Sequence, residues 1–345
     1  MRILVTGGAG FIGSHYVRAL LAGRYAPQAG TDITVLDKLT YAGRRANLPA
    51  AHDQLTFVRG DICDAPLLNE LLPGHDAVVH FAAESHVDRS IAGAADFMRT
   101  NVLGTQTVLD AALRSGVERF VHVSTDEVYG SISQGSWDEA SPLLPNSPYA
   151  ASKAASDLAA RSYWRTHGLD LSITRCSNNY GPYQHPEKLI PSFVTRLLDG
   201  RPVPLYGDGR NVREWTHVDD HCRAVHLVLL KGRAGEIYNI GGGTELSNLE
   251  LTHRLLELCG ADPSMIRRVQ DRKGHDLRYA LCDTKLREEL GHTPRVTLAD
   301  GLAGTVTWYR DNPGWWKTAE TGDAPEKPEA DRMSRDRSNP THRQG

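Results

Sequence analysis

The segment VTGGAGFIGSH, residues 5–15, carries the strongest structural signal in the chain. It follows the apolar run RILVTG and leads into a stretch with helical spacing of apolar residues. Its three spaced glycines are Gly7, Gly10 and Gly13. Between a strand and a helix, the first glycine permits the tight turn, the second lets the backbone approach a pyrophosphate, and the third lets helix and strand pack closely. The segment therefore predicts a dinucleotide-binding turn with the helix N-terminus facing the phosphates.

Six apolar runs of strand length recur from the N-terminus onward, separated by helical patterns. The runs are RILVTG, DITVLD, LTFVRGD, AVVHFA, RFVHVS and DLSITR. This alternation predicts βαβ crossovers, because parallel neighbours need a helix to return the chain. We expect an α/β fold built on a Rossmann-type, doubly wound parallel sheet.

The character of the sequence changes near residue 180, where Pro, Gly and Tyr become frequent, as in YGPYQHPEKLIP. We expect an NAD-binding domain over residues 1–180 and a smaller substrate-binding α/β lobe over 181–317. Such a lobe often returns a strand to the main sheet. Residues 318–345 are charged, contain prolines and have almost no aliphatic side chains, so we expect a disordered tail.

Composition argues against several classes of partner. The 345 residues carry a formal net charge of −3, with lysines and arginines scattered singly, which disfavours nucleic acid and anionic membranes. The five cysteines form no CxxC pair, so neither a disulfide framework nor a zinc site is indicated. No apolar run reaches the roughly 18 residues of a membrane span, and no signal peptide is recognisable. We expect a soluble cytoplasmic protein with a small-molecule partner and no metal.

The residues that follow the second and third strand runs bear on the choice of dinucleotide. In TVLDKLTY, Asp37 lies where a carboxylate hydrogen-bonds the adenosine ribose and repels a 2′-phosphate. This position favours NAD over NADP, although the neighbouring cation Lys38 could tolerate the extra phosphate. In RGDI, at the end of the third strand run, we expect Asp61 and Ile62 to contact the adenine.

The fourth and fifth strand runs carry residues for which a structural role must be weighed against a functional one. HFAAES brings the small residues Ala82 and Ala83 close to the predicted cofactor, but close packing at the strand end is an alternative explanation. RFVHVS contains His122. We expect His122 to be a buried, hydrogen-bonded histidine and not a catalytic one.

A tyrosine and a lysine in NSPYAASK have the spacing of a reactive pair. Ser147 is a candidate N-cap and Pro148 a candidate first helical residue, so Tyr149 and Lys153 would share one helix face. A neighbouring ammonium, helped by an oxidised nicotinamide, would lower the pKa of the phenol. Tyr149 could then accept a hydroxyl proton while hydride leaves the same carbon. An unreactive surface pair is the alternative.

Several longer stretches, together with these motifs, resemble one family. They are FAAESHVDRSI, STDEVYG, SPYAASKA, RCSNNYGPYQHPEKLIP, LYGDGRNVREWTHVDDHCRA and DRKGHDLRY. From Met1 to Trp316 the chain is similar to the dTDP-glucose 4,6-dehydratases, which belong to the extended short-chain dehydrogenase/reductase superfamily. The resemblance implies an NAD-dependent lyase that converts dTDP-D-glucose to dTDP-4-keto-6-deoxy-D-glucose and water. The steps would be oxidation at C4, elimination across C5 and C6, and hydride return to C6.

The stretch STDEVYG places Thr125, Asp126 and Glu127 directly after the fifth strand run. A simple dehydrogenase or a 4-epimerase needs only the hydroxyl here, whereas two carboxyls suggest proton transfers at neighbouring carbons. Adjacent carboxyls can hold different pKa values through unequal burial and mutual repulsion. The resemblance makes Glu127 the base at C5 and Asp126 the acid toward the C6 hydroxyl. Capping of the following helical turn by the acids is the alternative.

The resemblance also assigns residues to the two ligands and implies a homodimer through helices near residues 100–115 and 150–165. The residues assigned to NAD are Gly7, Gly10, Phe11, Ile12, Gly13, Asp37, Lys38, Leu39, Thr40, Asp61, Ile62, Phe81, Ala82, Ala83, Ser85, Thr100, Tyr149, Lys153 and Asn179. The residues assigned to the nucleotide sugar are Ser85, Thr125, Asn178, Lys188, Leu189, Pro204, Leu205, Tyr206, Arg213, Asn248, Asp271, Arg272, Lys273, Gly274 and His275. Without the resemblance, the sequence would indicate Arg213 and few other residues as binding the nucleotide sugar.

Two other functions stay open at this point. Another extended short-chain nucleotide-sugar enzyme, such as a 4-epimerase or a UDP-hexuronate decarboxylase, would not require the pair Asp126 and Glu127. A non-catalytic NAD-sensing protein would not need Thr125, Tyr149 and Lys153 together. The sequence does not separate thymine from uracil in the nucleotide or indicate the downstream pathway. HVDDH, residues 217–221, has two histidines at helical spacing but lacks a third ligand, so we expect no metal there.

Overall fold

Twelve strands and twelve helices cover most of residues 1–25, 30–271 and 274–321, which the computed structural model describes. The strands are β1 Arg2–Thr6, β2 Asp32–Asp37, β3 Leu55–Arg59, β4 Ala77–His80, β5 Arg119–Thr125, β6 Leu171–Cys176, β7 Asn178–Tyr180, β8 Val203–Tyr206, β9 Val212–His217, β10 Ile237–Ile240, β11 Glu245–Ser247 and β12 Ile266–Val269. The helices are α1 Phe11–Leu21, α2 Ala65–Leu71, α3 Val87–Ala92, α4 Ala94–Phe97, α5 Thr105–Arg114, α6 Pro148–His167, α7 Leu189–Leu198, α8 Val218–Lys231, α9 Asn248–Cys259, α10 Thr284–Leu290, α11 Leu298–Asp311 and α12 Pro313–Thr321. The π-helical segment Met98–Gly104 joins α4 to α5, and Asp126–Tyr129 is a 3₁₀ turn.

The main sheet has seven strands in the order β10-β6-β5-β4-β1-β2-β3. Every pair in it is parallel. The order reverses direction at β1, so crossover helices cover both faces, as in a doubly wound fold. All six predicted strands are present, and the α/β fold class is confirmed.

Side chains of the main sheet enter two cores because successive residues of a strand point to opposite faces. Ile3 and Val5 pack in one core with residues of α1 and α8. Leu4 packs in the other core with residues of α2 and α5. Burial on both faces explains why these strands read as continuous apolar runs in the sequence.

Two further sheets are a three-stranded sheet, β11-β9-β7, and a two-stranded sheet, β12-β8. β7 precedes the predicted domain boundary but pairs with β9, which follows it. Part of the chain beyond residue 180 nevertheless belongs to the main sheet. β10 pairs with β6, which is the strand return that the sequence analysis allowed for. Helix α8 also packs there, with Val218, Cys222 and Val225 in the first core. Helix α12 continues to Thr321, four residues beyond the predicted start of the tail, and residues 322–345 lie outside the described part of the chain.

Helix α6 carries the predicted reactive pair, and its N-terminus has the predicted geometry. The Ser147 hydroxyl accepts a hydrogen bond from the Ala150 N–H at 3.1 Å, and Pro148 is the first helical residue. These contacts satisfy an N-terminal donor and fix where the helix begins.

Among the described residues, no helix is long and apolar enough to cross a membrane.

Candidate active site

A deep cleft runs along the carboxyl ends of the central strands, with residues 184–188 of the second lobe on one wall. It brings together most of the residues predicted for NAD and for catalysis. Those that line it are Gly7, Gly10, Phe11, Ile12, Gly13, Asp37, Lys38, Thr40, Asp61, Ile62, Phe81, Ala82, Ala83, Ser85, Thr100, Thr125, Asp126, Glu127, Tyr149, Lys153, Asn178, Asn179 and Lys188. Ligands of doubly wound sheets bind at this edge, where the strand order reverses.

The glycine turn between β1 and α1 has the close backbone contacts that a dinucleotide-binding turn requires. Gly7 has φ +68°, in the left-handed region. A Cβ on Gly7 would lie 2.6 Å from the backbone nitrogen of Ala82, and a Cβ on Gly13 would lie 2.3 Å from the Gly7 carbonyl oxygen. Side chains at these positions would push the backbones apart and fill the cradle above the N-terminus of α1. The residues present therefore fit a bound dinucleotide.

Both oxygens of Asp37 are held by backbone donors at the end of β2. Oδ2 accepts from the Ala9 N–H at 2.9 Å, and Oδ1 accepts from the Leu39 N–H at 2.8 Å. Burial raises the pKa of Asp37, and these two hydrogen bonds oppose the rise. Lys38 Nζ lies 2.8 Å from Asp61 Oδ2. Because this ion pair engages the lysine charge, Lys38 gives less support to an NADP phosphate than the sequence suggested.

Tyr149 and Lys153 are both buried at the base of the cleft. Burial and the neighbouring Glu127 raise the pKa of Tyr149 well above its ordinary value, whereas a hydrogen bond with Thr125 lowers it. Burial lowers the pKa of Lys153 to about 8, and its ammonium donates to the Val123 carbonyl oxygen at 2.8 Å. In the protein without cofactor, the pKa of Tyr149 is thus raised and not lowered as predicted. The oxidised nicotinamide would have to supply the positive charge.

The two adjacent acids after β5 differ in burial. Asp126 is 2% exposed, while Glu127 is only partly buried. Burial raises the pKa of Asp126 well above its ordinary value, and the charges of Glu127 and Glu214 raise it further. The environment of Asp126 therefore favours its protonated form. Among the described residues its Oδ2 atom has no hydrogen-bond partner, so this oxygen is available to a ligand.

Thr125 caps the 3₁₀ turn Asp126–Tyr129. Its Oγ1 accepts from the Glu127 N–H at 3.3 Å and donates to Asp126 Oδ1 at 3.2 Å. The threonine hydroxyl thus supplies the side-chain cap of this turn, and both acids lie in the first turn, the position that the alternative gives them.

Arg213, like Glu214, is a residue of the second lobe whose charge acts on Asp126. Its Nη2 donates to the Asp276 carbonyl oxygen at 2.9 Å, and its guanidinium lies 4.4 Å from the centre of the Tyr279 ring. The charge of Arg213 lowers the pKa of Asp126, partly opposing the effect of burial. This places a fixed cation beside the catalytic end of the cleft.

Of the remaining predicted nucleotide-sugar residues, those that the structure describes do not line the cleft. Leu205 on β8 is buried. Tyr206 is exposed, and its ring centre lies 6.2 Å from that of His275, which is paired with Asp271 at 2.6 Å. Leu189 begins α7 and Asn248 begins α9. Gly274 has φ +63°, and Arg272 and Lys273 lie outside the described residues.

The cleft also contains residues that the sequence analysis missed. They are Leu36, Ala42, Gly43, Gly60, Glu84, Val123, Ser124, Cys176, Ser177, Gln184, His185 and Glu187. His185 and Glu187 fall within the quoted stretch YGPYQHPEKLIP, which was a signal for their importance. His122 is buried as predicted, with Nε2 3.1 Å from Ser156 Oγ.

Comparison with known proteins adds an independent line of evidence. The GDP-mannose 4,6 dehydratase family model matches residues 4–305. A dTDP-glucose 4,6-dehydratase of Streptomyces niveus is 62% identical over 94% of this chain and 97% of its own length. The crystal structure of DesIV (dTDP-glucose 4,6-dehydratase) from Streptomyces venezuelae with NAD and TYD bound is 68% identical, covers 92% of this chain and 100% of its own, and has a TM-score of 0.91.

More distant structures share the fold but have other printed activities. A UDP-glucose 4-epimerase from Thermotoga maritima, solved with UDP-glucose, is 33% identical, covers 90% of this chain and 99% of its own, and has a TM-score of 0.84. The fold alone thus leaves dehydratase and epimerase open, whereas the high identities lie with the dehydratases. The glycine turn, the paired acids and these matches lead to one conclusion. The chain belongs to the GDP-mannose 4,6 dehydratase family and, within it, to the dTDP-glucose 4,6-dehydratases.

Proposed function

We propose that this chain is an NAD-dependent dTDP-glucose 4,6-dehydratase that forms dTDP-4-keto-6-deoxy-D-glucose and water. The observation that carries the proposal is the buried Asp126, whose pKa is raised by its burial, beside the less buried Glu127, both in one cleft with Tyr149. An acid and a base side by side are what an elimination needs, and an oxidation alone does not need them.

The residues of the β1–α1 turn and Asp37 would hold NAD along the sheet edge, with the pyrophosphate at the N-terminus of α1. When bound, NAD accepts a hydride from C4 and later returns it to C6. Tyr149 takes the proton of the C4 hydroxyl, and Thr125 holds the oxygen of that hydroxyl beside the phenol. The ammonium group of Lys153 is held in position at the site by its hydrogen bond to the Val123 carbonyl oxygen.

The two acids act on the neighbouring carbons once C4 is a ketone. Glu127 removes the C5 proton, which the ketone has made acidic. Asp126 donates its proton to the departing C6 hydroxyl, which leaves as water. On hydride return to C6, Glu127 gives its proton back to C5. The proton that Tyr149 took from the C4 hydroxyl replaces the one that Asp126 gave to water. The net change is therefore the loss of one water, and the cofactor ends as it began.

Incubation of the protein with dTDP-glucose tests the proposal directly. We expect the alkali-induced ultraviolet absorbance of a 4-keto-6-deoxy product and a mass lower by one water, with no net change in NAD. A C4 epimer of unchanged mass would support a 4-epimerase instead. Tight NAD binding with no product would point to an NAD-sensing protein. UDP-glucose as a second substrate would measure how strongly the site selects thymine.

We also propose that the protein is a cytoplasmic homodimer. Large apolar side chains are exposed on the π-helical segment and on α6, with Met98 42%, Leu103 51% and Leu158 58% exposed. An apolar surface of this kind supports a second copy as its partner. Light scattering should give twice the chain mass of 37.9 kDa, and a mass equal to one chain would contradict the dimer.

A further inference from the structure

Four side chains form a cluster at the edge of the cleft, which we call the clasp: Tyr41, Arg89, His185 and Glu187. The Arg89 guanidinium lies 3.9 Å from the centre of the Tyr41 ring, and Arg89 Nε lies 3.2 Å from Glu187 Oε2. The His185 ring meets the Tyr41 ring edge-on, with centres 5.7 Å apart. The catalytic steps proposed above use none of these contacts.

The clasp joins three separate segments of the chain at the cofactor cleft. Tyr41 belongs to the loop after β2, Arg89 to α3, and the other two residues to the segment before α7. Thr40, the neighbour of Tyr41, lines the cleft, as do His185 and Glu187. The contacts therefore connect the cofactor domain to the segment before α7 at the cleft.

Neighbouring contacts hold the clasp in place. The Tyr41 side chain hydrogen-bonds that of Ser85, and Lys188 Nζ donates to the Ser85 carbonyl oxygen at 2.7 Å. His86 Nε2 lies 3.8 Å from Glu187 Oε2. The Glu187 side chain is only 14% exposed, whereas that of Arg89 is 51% exposed. Arg89 thus closes the cluster from the solvent side, over a largely buried carboxylate.

We propose that the clasp retains the dinucleotide between the two hydride transfers, with Arg89 as a positioning residue that ties Tyr41 to Glu187. The inference rests on the proposed function, because only a reaction that returns its hydride needs the reduced cofactor to stay. If the clasp opens after the first transfer, the site releases NADH, and the sugar leaves oxidised. That side reaction consumes one NAD per sugar and yields one NADH and one proton.

Arg89→Ala tests the clasp, because it removes both the stacking on Tyr41 and the ion pair with Glu187. We expect NAD to dissociate about tenfold faster than from the unchanged protein, given the usual strength of one cation–π contact and one partly exposed ion pair. With dTDP-glucose and excess NAD, ultrafiltration should recover more free NADH than there are enzyme sites. Arg89→Lys keeps the charge without the planar guanidinium. Its rate of NAD dissociation should therefore lie between those of Arg89→Ala and the unchanged protein.

Arg165→Ala is the matched control, because Arg165 also lies over an aromatic ring, Trp164 at 5.2 Å, but belongs to the last turn of α6, outside the clasp. It should leave both NAD dissociation and free NADH unchanged. The proposal is overturned if Arg89→Ala retains NAD as the unchanged protein does, or if its NADH never exceeds the number of sites. Failure of the proposed function would look different, since the unchanged protein itself would then form no 4-keto-6-deoxy product.

Discussion

Glu127→Gln is expected to stop the reaction after the first hydride transfer and to lower product formation by about 10²- to 10⁴-fold, the usual contribution of a general base. Oxidation at C4 uses Tyr149 and Thr125, which this change leaves in place. The amide cannot accept the C5 proton, so the oxidised sugar has no path to elimination. Absorbance of reduced nicotinamide should therefore accumulate on the protein, up to one equivalent per site, while the dehydrated product is absent.

Glu118→Gln is the matched control, because Glu118 is exposed and directly precedes β5, whereas Glu127 follows the other end of that strand. It should turn over like the unchanged protein. Normal turnover of Glu127→Gln would show that the base is assigned to the wrong residue. If instead Asp126→Asn accumulated the reduced cofactor while Glu127→Gln did not, Asp126 would be assigned as the base at C5 and Glu127 as the acid.

The parts of the fold that follow local patterns could be predicted from the sequence. The strands appeared as apolar runs because both faces of a parallel sheet are buried. Ser147 and Pro148 marked the start of α6 because capping depends on neighbouring residues. Gly7 and Gly13 marked the turn because a side chain at either position would meet backbone.

The parts that depend on distant contacts could not be predicted in this way. The Arg89 to Glu187 ion pair joins residues 98 positions apart, and no local pattern brings them together. Leu205 was predicted as part of a nucleoside slot, but its side chain is buried close to Gly209. The pKa of Tyr149 depends first on burial, which helical spacing does not report. Packing of α8 on the main sheet likewise required the folded core.

A buried charged network lies close to Lys153. Arg175 Nε is 2.9 Å from Asp157 Oδ2, and His122 Nε2 is 3.3 Å from Asp157 Oδ1. The Arg175 guanidinium also lies 4.7 Å from the centre of the Tyr129 ring. Burial alone would raise the pKa of Asp157, but Arg175 and His122 hold it at about 2. The charge of Asp157 in turn raises the pKa of Lys153, whose burial lowers it.

Arg175→Met is expected to cost about 3–5 kcal/mol of folding free energy, because it leaves Asp157 as a buried carboxylate without its main partner. The double change Arg175→Met with Asp157→Leu should recover most of this loss, since apolar side chains of similar size can replace a buried ion pair. Urea unfolding at pH 7 measures both. If the double variant is no more stable than Arg175→Met, the loss comes from packing against Tyr129 and not from the unpaired charge.

The pH dependence of the same variants distinguishes charge from packing a second way. The pKa of Asp157 is about 2 in the folded protein against an ordinary value of 3.8, so its contribution to stability is present above pH 4 or so and is lost as the pH falls toward 2. Arg175→Met removes the interaction that depresses this pKa. The variant should therefore lose less stability than the unchanged protein between pH 5 and 3, and the two unfolding curves should converge as the carboxylate is protonated. Curves that stay parallel over this range would show that Asp157 keeps its low pKa without Arg175, which would place the stabilising charge on His122 or Lys153.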